Sequence, residues 1–144
     1  HRDLHSVPTR RSSDLLVLSS LFPQLEEKRV VVHIAQGFSN VFAIARTLLD
    51  HGYKVLVMMD TDSHIPGNDN KIIIERILSN SPYGRGLEIV WMDPFIERVI
   101  DRAVPGFFRG NKPTIHNLRS FLESHRKNIL RLVEFQKIES FIDE

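Results

Sequence analysis

The chain has 144 residues, a mass of 16.7 kDa, 42% hydrophobic and 26% charged side chains, and a formal net charge of +1. That length suits one domain with its own core, and no apolar run approaches the roughly 20 residues needed to cross a bilayer, so no membrane partner is expected. With no cysteine in the chain, disulfides and thiolate metal sites are excluded, and a reducing, cytoplasmic setting is the expectation.

Residues 1–15 have no start methionine, no signal-peptide pattern and no apolar periodicity. The stretch resembles the translation of a sequencing-library adaptor. The expected division is therefore a non-native segment at 1–15 and a single α/β domain at 16–144. Without Arg2, Arg10, Arg11, Asp3 and Asp14 the remaining bases and acids balance, so net charge points to no partner.

Leu15 to Phe22 is apolar and stops at Pro23, and fits helix or strand. Arg29 to Ala35 is a β-branched run of strand length, of the kind covered on both faces. Ser39 or Asn40 can cap a helix to about Asp50, with Val41, Ile44, Ala45 and Leu48 as its apolar stripe and His51-Gly52 as its end. Lys54 to Met59 reads as a second buried strand, completing a βαβ unit and so a parallel pair. A loop from Asp60 to Asn70 leads to a helix at Lys71 to Leu78, and Leu87 to Trp91 is a third strand. Asp93 and Pro94 have the chemistry of a cap and first-turn pair for a helix through about Arg102. From Thr114 a long amphipathic helix, with room for one break, turns Leu118, Leu122, Ile129, Leu132 and Val133 toward the core.

Open parallel sheets bind ligands beyond the carboxyl ends of their strands. Here that rule selects Gln36-Gly37, then Asp60 with Asp62, then Asp93 with Glu97. Two aspartates one residue apart at a strand exit suit a hard cation such as Mg²⁺; the plainer alternative is a turn cap and a solvated loop acid. Glu97 can reach the same cleft or serve as a capping-box partner of Asp93. His33 reads as a core histidine and His64 as an exposed loop residue. No phosphate-binding loop of the Gly-x-x-x-x-Gly-Lys or Gly-x-Gly-x-x-Gly kind occurs. Between Arg102 and Arg131, Arg109, Lys112, Arg119, Arg126 and Lys127 face only Glu123 in opposition, a charge excess suited to a phosphate backbone or to a solvated helix face.

Val30 to Gly37, the helix from Asn40, and Val55 to Asp62 together resemble the Toprim domain of primases, topoisomerases and OLD-type nucleases, over roughly residues 29–100. Asp93-Pro94-Phe95-Ile96-Glu97 is similar to a Pro-x-x-Glu element of Toprim-like proteins from phages and bacterial defence systems. The resemblance implies a Toprim/Rossmann-like three-layer α/β fold with a central, mainly parallel sheet, here followed by the long C-terminal helix. It implies Asp60 and Asp62 as ligands of Mg²⁺ or Mn²⁺, Gln36 and Glu97 as catalytic auxiliaries, and nucleic acid as substrate; the charge excess of Arg109, Lys112, Arg119, Arg126 and Lys127 independently suits a nucleic-acid backbone. Gln36 stands where the family has a glutamate, and an amide cannot take a proton at neutral pH. Two other readings follow: an inactive Toprim-like module that binds nucleic acid or protein, and a fragment of a nucleotide-sugar transferase, which also uses Asp-x-Asp.

Overall fold

The computed structural model describes residues 5–9, 12–34, 38–67, 71–73, 76, 86–107 and 115–144. Its elements are β1 (His5–Thr9), α1 (Ser12–Leu21), a 3-10 turn (Pro23–Leu25), β2 (Val31–Ile34), α2 (Phe38–Asp50), β3 (Lys54–Asp60), β4 (Leu87–Met92), α3 (Ile96–Ala103), α4 (Ile115–Ser124), α5 (Arg126–Ile129) and α6 (Val133–Asp143). Residues 71–73 and 76 have helical backbone within the expected 71–78 helix, whose other residues lie outside the described ones.

The four strands are all parallel, in the order β2-β1-β3-β4. β3 explains itself from its sequence. Val55, Val57 and Met59 join Val41 and Ala45 of α2 on one face, while Leu56 and Met58 join Leu18, Leu21 and Ile100 on the other. A strand covered on both sides has no solvent face to alternate with, so its apolar run is continuous. α2 ends where Gly52, at φ +84, takes the left-handed conformation and its N–H meets the Leu49 carbonyl at 3.0 Å. The larger core cluster gathers α1, α3, α4, α5 and α6 against the face opposite α2. Among the described residues no helix is long and apolar enough to cross a membrane.

Two expectations are corrected, and one reading left open is resolved. First, His5–Thr9, set apart from the domain by its sequence, is an interior strand: it pairs β2 from Ser6↔Val31 to Thr9↔Ile34, and β3 at His5↔Lys54 and Ser6↔Val55. The strands of the βαβ unit, β2 and β3, are therefore parallel but not neighbours, and β2 is an outer strand with Val31 49% exposed. Pro8 hides this strand, because proline gives no ladder N–H and argues against an interior position; tertiary context overrides the local preference. Second, the open segment is helical from Leu15 to Leu21, as part of α1, and leaves the helix at Phe22. Third, the long C-terminal helix is three helices. The Ser124 hydroxyl turns back to the Ser120 carbonyl (2.8 Å) where α4 ends, and Leu132 adopts extended backbone (φ −68, ψ 138) before α6. These turns let Ile129, Phe135, Ile138 and Phe141 all reach the core.

Beyond the last helix, Glu144 stands 3.8 Å from Lys54 and 3.9 Å from His5. The chain end thus lies at the amino edge of the sheet, and the opposite edge is built by loops. Because Val7 is fully buried, Val7→Ala is expected to lower the unfolding free energy by about 2 kcal/mol in urea titration, two methyl groups at roughly 0.8 each plus a cavity contribution. An unchanged midpoint would mean that residues 5–9 do not pack in the sheet.

Candidate functional site

In this strand order the chain runs from β1 outward to β2, then crosses back to β3, so the β1/β3 boundary is the place where connections diverge. Crevices at carboxyl ends form at such boundaries. The loop leaving β3 carries the acidic turn, and the Thr9 hydroxyl at the end of β1 donates to the buried Asp14 carboxylate at 3.0 Å. Asp14 escapes the sequence-based selection because it falls in the discounted 1–15 segment. Its signal is Ser12-Ser13-Asp14 ahead of an apolar run, a helix start.

Asp60 is the last residue of β3 and pairs with Met92. Its Oδ1 accepts a hydrogen bond from the Ile96 N–H at 3.1 Å. Ile96 opens α3, and Phe95, at the cap position, offers no side-chain cap bond. The first amides of a helix lack partners and favour negative charge, so Asp60 caps α3 from a different strand. This corrects the expectation for Asp93 and Pro94, which precede the helix; their connecting peptide is cis.

Asp93 faces the acidic turn instead. Its Oδ1 accepts from the Thr61 hydroxyl and from the Ser63 hydroxyl, each at 2.7 Å. The backbone repeats the link: Thr61 N–H donates to the Met92 carbonyl at 3.0 Å and Asp62 N–H to the Pro94 carbonyl at 2.9 Å. Asp62 sits at φ +52, in the left-handed region that non-glycine residues seldom adopt. Beside the turn, the His64 and Phe95 rings meet edge to face at 4.9 Å. Thr61, Ser63 and Asp93 carry no motif visible in the sequence, since their partners lie some thirty residues away.

Asp60 ends β3, Asp62 lies in the loop after it, and Glu97 is half-buried in the first turn of α3, on segments tied together by these bonds. Among the described residues, no three His, Asp or Glu side chains form a group able to hold a metal ion. Asp60 and Asp62 nonetheless fit Mg²⁺ chemically, because that ion is commonly held by one or two carboxylates, waters and substrate phosphate. Gln36, Arg109 and Lys112 lie outside the described residues. Arg119 and Lys127 are exposed on α4 and α5, whereas the half-buried Arg126 donates through Nε to the Leu21 carbonyl at 2.7 Å and so ties α5 to the end of α1.

Compared with family models, curated proteins and solved structures, the chain matches none.

The Ser63 and Thr61 hydroxyls hold the Asp93 carboxyl below its ordinary value of 3.8 against the opposing effect of burial, with lesser help from the positive charges of Lys71 and Arg102. A lowered folded value means that the ionised form is the one favoured in the fold. Its contribution to stability is present above 3.8 and is lost as pH falls below that value through the folded one. In a Thr61→Val, Ser63→Ala variant, the NMR titration of the Asp93 side-chain carbon should move up toward 3.8; an unmoved titration would contradict the two hydroxyl bonds.

Proposed function

We propose that the chain is a Toprim-like, divalent-cation-dependent nuclease or related phosphoryl-transfer domain acting on nucleic acid. The observation that carries this reading is the position of Asp60 and Asp62 at the carboxyl end of an interior strand, beside the β1/β3 divergence of an all-parallel sheet. The resemblance of Val55 to Asp62 and of Asp93 to Glu97 to Toprim elements supplies the class of chemistry.

In this reading Asp60 and Asp62 hold Mg²⁺ or Mn²⁺. Such an ion polarises a phosphoryl oxygen and lowers the pKa of a bound water. Glu97 would serve as the proton acceptor in this reading, and Gln36 would contribute an amide that orients without taking a proton. Arg119 and Lys127 present positive charge to the phosphate backbone, joined by Arg109 and Lys112, while Arg126 serves the fold first.

A second reading, an inactive Toprim-like binding module, is favoured by the lack of a three-donor group among the described residues and by the amide at position 36. The two separate cleanly. The Asp60→Asn, Asp62→Asn variant should lose Mg²⁺-dependent cleavage of DNA or RNA by at least about 100-fold, a barrier increase near 2.7 kcal/mol. Undiminished cleavage would discard the assignment of the acids, and salt-sensitive binding with no cation requirement in the unmutated chain would favour the binding module.

A further inference from the structure

Cations collect on one helical surface that adjoins the carboxyl edge of the sheet. α3 starts at that edge, where the Ile96 N–H meets Asp60, and packs against α5; Ile96, Val99, Ile100 and Ile129 all belong to the larger core cluster. The outer sides of the two helices are sorted by charge. Among the described residues of α3, α5 and the turn from α5 to α6, every exposed charged side chain is basic: Arg98 and Arg102 on α3, Lys127 on α5 and Arg131 in the turn. Arg98 and Arg102, at i and i+4, share one side of α3. The acids of the same region are withdrawn. Glu97 and Asp101 are half-buried, the Asp101 carboxylate accepts from the Gly106 N–H at 3.0 Å, and the Glu134 side chain, only 12% exposed, pairs with Arg102. The Arg102 side chain stays 53% exposed, so this pairing leaves much of its guanidinium in water.

We infer that the exposed face of α3 and α5 is a docking surface for a nucleic-acid phosphate backbone, with Arg98, Arg102 and Arg131 joining Lys127 along it. This rests on the nucleic-acid part of the reading above and deepens it, because α3 leads from this face to the edge that carries Asp60. The occupant follows from charge complementarity. A polyanion releases its condensed counterions when several separate cations meet its phosphates, and that gain requires neither a pocket nor a base contact. A single small anion is instead held by convergent donors, whereas these four cations are spread over two helices and a turn. Arg98 lies before the basic segment legible in the sequence, and only the packing of α3 on α5 brings it to the same surface.

The test is fluorescence anisotropy of a labelled DNA duplex titrated with the chain over a range of salt concentrations, in EDTA so that no cation-dependent cleavage contributes. The Arg98→Gln, Arg131→Gln variant is compared with Lys28→Gln, Arg46→Gln, an equal charge change at exposed positions before β2 and on α2, the helix across the sheet. Arg102 is left in place, since its loss would strand the mostly buried Glu134. The Arg98/Arg131 variant should flatten the slope of log affinity against log salt by about 1.8, roughly 0.9 per lost phosphate contact, and weaken binding at low salt by about 10-fold or more. Arg98→Lys, Arg131→Lys should keep most of both, and the control should keep nearly all. If the double variant does not fold, Arg131→Gln alone, in an exposed turn, should flatten the slope by about 0.9. An unchanged slope, or equal losses in the control, would overturn the inference and leave the nucleic-acid reading standing. Failure of the unmutated chain to bind DNA or RNA would sink that reading and the inference together. Loss of binding to phosphatidylserine vesicles with DNA binding intact would overturn the inference in favour of a membrane surface.

Discussion

The interlock between the loop leaving β3 and the loop leaving β4 is the constraint on which the carboxyl edge depends. β3 and β4 run in register to Asp60↔Met92, and a parallel pair ordinarily releases its two chains there into independent connections. Here the pairing is carried further by polar groups. The Thr61 amide extends the ladder by one residue, the Asp62 amide reaches Pro94, the Asp93 carboxylate gathers two hydroxyls, and Asp60 returns the favour by capping α3. Each carboxylate stabilises the loop of the other strand, so neither loop can change its path without releasing partners in both. Hydrogen bonds to ionised groups are individually worth more than neutral ones, and here they are concentrated within a few residues.

That arrangement positions acids where they would otherwise be costly. Asp60 sits at the end of a strand whose five preceding residues are buried, and Thr61 is buried beside it. A carboxylate at the rim of such a core needs donors, and the opening turn of α3 supplies one. The helices behind the sheet anchor the rim: α3 is packed through Ile96, Val99 and Ile100 in the larger core cluster, and its Arg102 meets Glu134 of α6.

How much of this is legible in the sequence depends on whether the cause is local. β3, β4 and α2 are readable because their signals are contiguous: apolar runs of strand length, an apolar stripe at helical spacing, and a glycine at the helix end. β1 is not readable, since His5-Ser6-Val7-Pro8-Thr9 has neither alternation nor β-branched density, and only the slot between β2 and β3 makes it a strand. The Asp93-Pro94 pair has the local chemistry of a helix start, yet hydroxyls some thirty residues earlier in the chain draw Asp93 away. The C-terminal breaks carry no glycine or proline to announce them. Asp60 and Asp62 are singled out from the sequence by their place at a strand exit; the bond from Ile96 to Asp60 and those from Thr61 and Ser63 to Asp93 are contacts that no spacing rule contains.

The most direct test of a cation site at the interlocked loops is paramagnetic broadening of backbone amide resonances during a Mn²⁺ titration. The account predicts that the first signals lost are those of Thr61, Asp62 and Ser63 together with those of Ile96 and Glu97, from the two loops at once. Broadening centred on the amino edge around Lys54 and Glu144, or on α4 and α5, would contradict it, as would spectra that do not respond to the ion.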